Sequence, residues 1–197
     1  MAEARSATEK AVMEQIDASI ALHRYLISGI KTLLAIADRI TLALRRGNTV
    51  FLFGNGGSAA DAQHIASELS GRFRRDRDPL PAITLSANVP ALTAIANDFG
   101  YEEVFARQVK GLVKQGDVVI GISTSGQSPS VLRGMEAARG RGATTIALTG
   151  AEGRLRSMVD YALSIPSADT PRIQEAHITA AHVICYLVEE ALAEESS

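Results

Sequence analysis

From residue 49 onward the chain alternates short, continuous apolar runs, at 50–53, 82–85, 118–122, 145–148 and 161–165, with longer stretches of helical character. A strand without polar alternation is buried on both faces, and strands separated by helices pair in parallel through right-handed crossovers. The pattern predicts the α/β class: a three-layer sandwich around a five-stranded parallel sheet. Ahead of it, apolar residues recur at Val12, Ile16 and Ile20 and again at Leu26, Ile30, Leu33, Leu34 and Ile40, with a weak interruption at Ser28-Gly29. That spacing predicts two N-terminal helices. The last segment opens with Pro171 at a first-turn position and runs to about Glu194, one terminal helix. Residues 71–81 are charged, carry two prolines and form a surface connection.

At 197 residues the chain is expected to be a single domain, with 1–46 as a helical extension and 47–197 as the α/β core. The apolar stripe of the extension suits packing on its own domain or on a neighbouring subunit. Twenty Lys and Arg face 22 Asp and Glu, a net charge of −2. No basic field is left to hold nucleic acid or an anionic membrane surface, so small molecules or other proteins are the expected partners. No apolar run approaches the ~20 residues of a membrane span, and the first residues lack an apolar signal core. The lone Cys185, within Val183-Ile184-Cys185-Tyr186-Leu187, reads as packed core rather than redox chemistry. A cytoplasmic protein is expected.

Gly54-Asn55-Gly56-Gly57-Ser58 follows the first run and leads into a helix expected to begin near Ala59. Doubly wound sheets bind ligands there, because glycines let backbone N–H groups approach an anion and the helix N-terminus adds partial positive charge. The same residues also suit a tight turn capped by Ser58. Gly54, Gly56 and Ala59 fit a dinucleotide pattern, but the second strand ends at Leu85-Ser86-Ala87-Asn88 with no acidic residue for a ribose. After the third run, Ser123-Thr124-Ser125-Gly126-Gln127-Ser128-Pro129 leads into a helix over 131–139. Four hydroxyls, a glycine and free amides make a cradle for a phosphate monoester without any lysine. Ser128-Pro129 also suits an N-cap and first-turn pair, which accounts for one hydroxyl and not four.

His64 and Glu68 stand one turn apart on one helix face, a geometry for two ligands of one metal or for an imidazole and a carboxylate sharing protons. It is also the spacing of an ordinary solvated pair. His182 lies among Ile178, Ala181 and Ile184, an apolar setting in which a histidine needs a partner. Glu175 is nearly on its face and Gln174 is rotated by roughly 80°, so spacing leaves both as candidates for the same site. His177 points away from His182 and reads as structural or intersubunit, and His23 as surface or packing.

The block from Gly54 through His64, with Glu68 beyond it, resembles the signature of the sedoheptulose 7-phosphate isomerases of the sugar isomerase (SIS) fold, a flavodoxin-like architecture. Leu92-Thr93-Ala94-Ile95-Ala96-Asn97-Asp98, the stretch from Ile122 to Pro129, and Arg172-Ile173-Gln174-Glu175-Ala176-His177 with His182 resemble that family's remaining blocks in order. The similarity spans about residues 49–190. It implies a homotetramer with active sites near subunit interfaces, the N-terminal helices packing there, and conversion of D-sedoheptulose 7-phosphate to D-glycero-D-manno-heptose 7-phosphate, the entry to nucleotide-activated heptoses of surface glycans such as lipopolysaccharide. Carried over by position, Asn55, Gly56, Gly57, Ser58, Asn97 and Asp98 contact substrate, Ser123, Thr124, Ser125 and Ser128 hold the phosphate, and Glu68 and Gln174 also touch the sugar. His64, Glu68, Gln174 and His182 correspond to the ligands of one zinc ion per subunit. Gln127 stands where the family more often has Asn or Lys.

Ketose–aldose isomerisation through an enediol needs a base for a carbon-bound proton and an acid for the carbonyl oxygen. Among the residues so placed, Glu68 is read as the base and His182 as the acid. The fold also serves a non-catalytic tetrameric adaptor that binds the replication initiator DnaA, and sugar-phosphate-sensing modules. The adaptor lacks counterparts of Glu68 and His182, and a sensor needs no such pair, so the presence of both residues favours an enzyme.

Overall fold

The computed structural model describes residues 2–193. Two helices, α1 (Ala2–Ser28) and α2 (Ile30–Arg45), precede the alternating part. Then come β1 (Val50–Gly54), α3 (Gly57–Ser70), β2 (Ala82–Thr84), α4 (Val89–Phe99), α5 (Val104–Leu112), β3 (Val118–Ser123), α6 (Pro129–Gly140), β4 (Thr144–Gly150), β5 (Tyr161–Ile165) and α7 (Thr170–Ala193). Single 3₁₀ turns stand at Tyr101–Glu103 and Leu155–Ser157. All five strands are parallel, in the order β2-β1-β3-β4-β5. The expected α/β sandwich is therefore present, and the break between the first two helices falls at Gly29. Glu194, the expected end of the last helix, lies outside the described residues.

Successive side chains of a strand point to opposite faces, which splits the core in two. Val50 and Leu52 of β1 pack with α2, α3 and α7, while Phe51 and Phe53 pack with α5 and α6. On the second face Phe53 stacks on Phe105, ring centroids 4.7 Å apart. The strand order reverses direction between β1 and β3. In such sheets the crevice at this switch point, outside the carboxyl ends of the strands, is where ligands bind. Here it is flanked by the glycine turn after β1 and the hydroxyl-rich loop after β3.

Helix α2 packs on its own domain, against α7 and β5. The longer α1 is tied to α7 at two points: Arg172 Nη1 donates to Gln15 O at 2.8 Å, and His23 Nε2 lies 2.9 Å from Thr179 Oγ1. Its outer side leaves Val12, Met13, Ile16 and Ile20 exposed.

The connection between α3 and β2 is held from beneath. Glu189 on α7 is fully buried, and its carboxylate accepts from the backbone N–H groups of Phe73, Arg74 and Arg75 at 2.7–3.0 Å and from Arg77 Nε at 3.1 Å. Arg77 in turn donates to the carbonyls of Glu68 and Leu69, closing the last turn of α3. Burial works to raise the Glu189 carboxyl, but the three N–H groups and the guanidinium outweigh it and hold its pKa below the usual range. A second buried polar group ties α7 to the sheet: His177 Nε2 donates to Thr149 O at 3.2 Å, and burial drops its pKa to about 4.

Replacing Glu189 with Ala leaves Arg77 buried without its counter-charge, and chemical denaturation should register a loss of about 3–5 kcal/mol. A loss below about 1 kcal/mol would show that the pair does not hold this connection. Because the folded Glu189 carboxyl titrates below its ordinary 4.5, its contribution is complete above that pH and is lost on acidification. His177 behaves differently, since the unfolded chain protonates it near pH 6.5 and the folded chain only near 4. Unfolding free energy should therefore decline across that window by up to roughly 3 kcal/mol from this group. His177→Gln should flatten that part of the profile, and identical slopes in the two proteins would contradict the assignment.

Candidate functional site

The glycine turn takes its shape from β1 and from its neighbours. Gly56, with φ of 54°, stands at the N-cap of α3, and the helix starts at Gly57, two residues before the expected Ala59. Ser58 is the second helical residue and is buried beneath Gly54, so it does not cap the helix as the sequence suggested. The turn is instead fixed by Ser86, just past β2, whose hydroxyl donates to Gly54 O at 3.1 Å.

Asn55 reaches across the switch point. Its Nδ2 donates to Ser128 Oγ at 2.8 Å and to Ser130 Oγ at 3.0 Å, while its Oδ1 accepts from Tyr101 Oη at 2.8 Å. Ser128 occupies the N-cap of α6, as its pairing with Pro129 suggested, but its side chain makes no capping bond. Its hydroxyl serves the loop rather than the helix. Within that loop Ser125 Oγ accepts from Gln127 N at 3.2 Å and lies 3.5 Å from Ser123 Oγ. Gly126, at φ 62°, is pressed against the backbone of Glu152 and Gly153, where no side chain fits, and Leu155 N donates to Gly126 O at 3.1 Å. Beyond it opens a cleft of about 660 Å³ lined by Thr124, Ser125 and Gln127, by Ala151, Glu152 and Gly153 after β4, and by Pro166, Ser167, Ala168 and Thr170.

The second half of the site lies on the seam between α3 and α7. His64 Nε2 is 3.2 Å from Glu68 Oε1 and 2.9 Å from His182 Nε2, so the two helices bring an imidazole pair and a carboxylate to one point. All three candidate ligand atoms lie within 4.8 Å of one another. Two ligands of a tetrahedral metal at ~2.0–2.1 Å are separated by roughly 3.3 Å, close to both measured spacings. Two imidazole nitrogens and a carboxylate oxygen are also the donor set such a metal takes. The His/Glu/His group can thus hold a metal ion. Phe73, from the connection that Glu189 anchors, stacks on His182 at 5.7 Å. Asp61, one turn before His64, has a carboxyl raised by burial and only partly offset by that histidine.

Spacing left Gln174 and Glu175 open, and the structure separates them. Glu175 pairs with Arg172 at 2.6 Å. Gln174 lies on Gly57, its amide occupying the space a Cβ there would need. Gln174 is thereby placed at the glycine turn, eight residues or ~12 Å along α7 from His182. Asn97 and Asp98 sit exposed at the end of α4, Asn97 Nδ2 donating to Asp98 Oδ1 at 2.8 Å. His177, His23 and Cys185 are packing residues, as read, and burial pushes the Cys185 thiol to about 12.

Sequence reasoning missed Phe73, Ser86, Tyr101 and Ser130, and the residues at 151–153, 166–168 and 170. The rule that ligands bind beyond the carboxyl ends of parallel strands pointed to the loops after β4 and β5. No spacing rule pointed to the others, because each reaches the site from a different segment.

Residues 17–150 match the SIS domain family. The chain is 54% identical over 186 residues to a phosphoheptose isomerase of Roseiflexus sp. (strain RS-1), covering 93% of this chain and 94% of that protein. It is 55% identical over 162 residues to one of Aquifex aeolicus (strain VF5), covering 82% and 85% respectively. The structure of the phosphoheptose isomerase GmhA from Neisseria gonorrhoeae superposes with a TM-score of 0.82 at 37% identity, covering 96% of this chain and all of that one. The chain belongs to the SIS domain family, among its phosphoheptose isomerases.

Proposed function

We propose that this isomerase converts D-sedoheptulose 7-phosphate to D-glycero-D-manno-heptose 7-phosphate through an enediol. The observation that carries the reading is the convergence of His64, Glu68 and His182 on the α3–α7 seam, in a fold that carries a hydroxyl-rich loop directly after β3. Residues 123–128 hold the phosphate through the hydroxyls of Ser123, Thr124, Ser125 and Ser128 and through amides at the start of α6. Asn55, Gly56 and Gly57, together with Asn97 and Asp98, line the path of the sugar chain. Anchoring the remote phosphate supplies the binding energy that orders a flexible open-chain heptose over the reacting carbons.

Glu68 removes the proton from C1 or C2 and returns it to the neighbouring carbon. Its carboxylate is only partly exposed, so water competes weakly for it. His182 donates to the carbonyl oxygen, and the Phe73 ring against its face holds the imidazole in position. Zinc fits the donor set of His64, Glu68 and His182, with the amide oxygen of Gln174 as a fourth candidate. When bound it would polarise the carbonyl and hydroxyl oxygens of the substrate. The close approach of two imidazole nitrogens supports this, since a cation that both lone pairs face takes the place of the single proton they can share.

The exposed apolar stripe of α1 at Val12, Ile16 and Ile20 supports assembly as a homotetramer through the N-terminal helices. A non-catalytic adaptor or sensor built on this fold would have no use for the His64–Glu68–His182 group. No helix among the described residues is long and apolar enough to cross a membrane, which is consistent with a cytoplasmic enzyme.

The test is to incubate the purified protein with sedoheptulose 7-phosphate and follow aldoheptose phosphate. Glu68→Gln and His182→Gln should each lower kcat by about two orders of magnitude or more while inorganic phosphate still inhibits by binding. Near-normal turnover in either variant would remove that residue from the acid–base pair.

A further inference from the structure

Tyr101 is absent from the sequence blocks that point to the site, yet its hydroxyl donates to Asn55 Oδ1 at 2.8 Å. A side-chain amide has one accepting end and one end with two donors. With the accepting end on the phenol, the other end faces Ser128 Oγ and Ser130 Oγ, at 2.8 and 3.0 Å. Each serine oxygen then accepts from Asn55 and keeps its own hydrogen. Ser130 is 2% exposed, and its hydroxyl has Ser128 Oγ within reach at 3.3 Å. When the buried Ser130 hydroxyl donates along that contact, Ser128 accepts twice and its own hydrogen is left to donate outward. Nor is that hydrogen or oxygen used on the helix, since Ser128 makes no capping bond.

The opposite amide orientation reverses every one of these polarities and requires the phenol to accept from Nδ2, which a phenolic hydroxyl does less well than it donates. Asn55 Oδ1 would face the two serines and take their hydrogens, and Ser128 would present lone pairs to an incoming phosphate. We infer that Tyr101 is a positioning residue for phosphate recognition: by holding the Asn55 amide in one orientation, it makes Ser128 a hydrogen-bond donor to the phosphate of the substrate. The inference rests on the reading of residues 123–128 as the phosphate loop.

Tyr101→Phe keeps the ring and removes only the hydroxyl, at a side chain 58% exposed, so the core is untouched. The account predicts that KM for sedoheptulose 7-phosphate and the inhibition constant of inorganic phosphate rise together, roughly three- to ten-fold, the equivalent of one net hydrogen bond. The turnover number should stay within about two-fold, because no group at the reacting carbons changes. Unchanged KM and phosphate inhibition would overturn the inference, as would a loss confined to kcat, which would place Tyr101 at the chemistry. Ser125→Ala measured alongside separates the two layers of the argument. If it weakens phosphate inhibition and Tyr101→Phe does not, the role of Tyr101 alone fails. If neither does, the phosphate-loop reading fails and the role of Tyr101 with it.

Discussion

The buried Glu189 carboxylate, gripped by three backbone N–H groups and Arg77, fixes how α7 lies against α3. A buried charge is tolerated only when its hydrogen-bonding capacity is filled, and here one group fills it from a connection that would otherwise be free. Arg77 carries the constraint to the carbonyl of Glu68, so the end of α3 and the C-terminal part of α7 are tied through one ion pair. Glu189 lies seven residues beyond His182, two turns along the same face of α7. The pair therefore locks the separation across which His64, Glu68 and His182 meet, and the same connection delivers Phe73 to the His182 ring.

The sheet supplies the other half of the site. Reversal of strand order between β1 and β3 opens a crevice, and the two loops bordering it are joined by a single amide, that of Asn55. In the proposed function one end of the site offers an anion neutral donors, and the other is the titratable cluster that can bind a cation. A substrate that carries a phosphate at one end and reacts at the other matches this division. In that proposal the phosphate supplies affinity, and the cluster spends it on proton transfer.

Much of this was legible in the chain. Continuous apolar runs separated by helices required a doubly wound parallel sheet, and glycine- and serine-rich segments directly after the first and third runs located the crevice. The i, i+4 spacing of His64 and Glu68 placed them on one face, but nothing in spacing could bring His182 to them from 118 residues away. Tertiary packing did that, as it did for Tyr101, Ser86 and Phe73. Ser58 misled because a serine after glycines is a good cap in isolation. In the folded chain the helix begins one residue before it, and Gly54 has no Cβ to keep it out. The different neighbours of Gln174 and Glu175 were likewise beyond spacing, since Arg172 pairs with Glu175 while Gln174 packs on Gly57.

The central claim, that the His64–Glu68–His182 group forms a working metal centre of a heptose isomerase, is tested most directly by following aldoheptose phosphate formation through one cycle of metal removal and return. The account predicts that chelation abolishes turnover of sedoheptulose 7-phosphate and that zinc at one equivalent per subunit restores it. Turnover that survives complete metal removal, or that zinc fails to restore in a protein still folded, would contradict it.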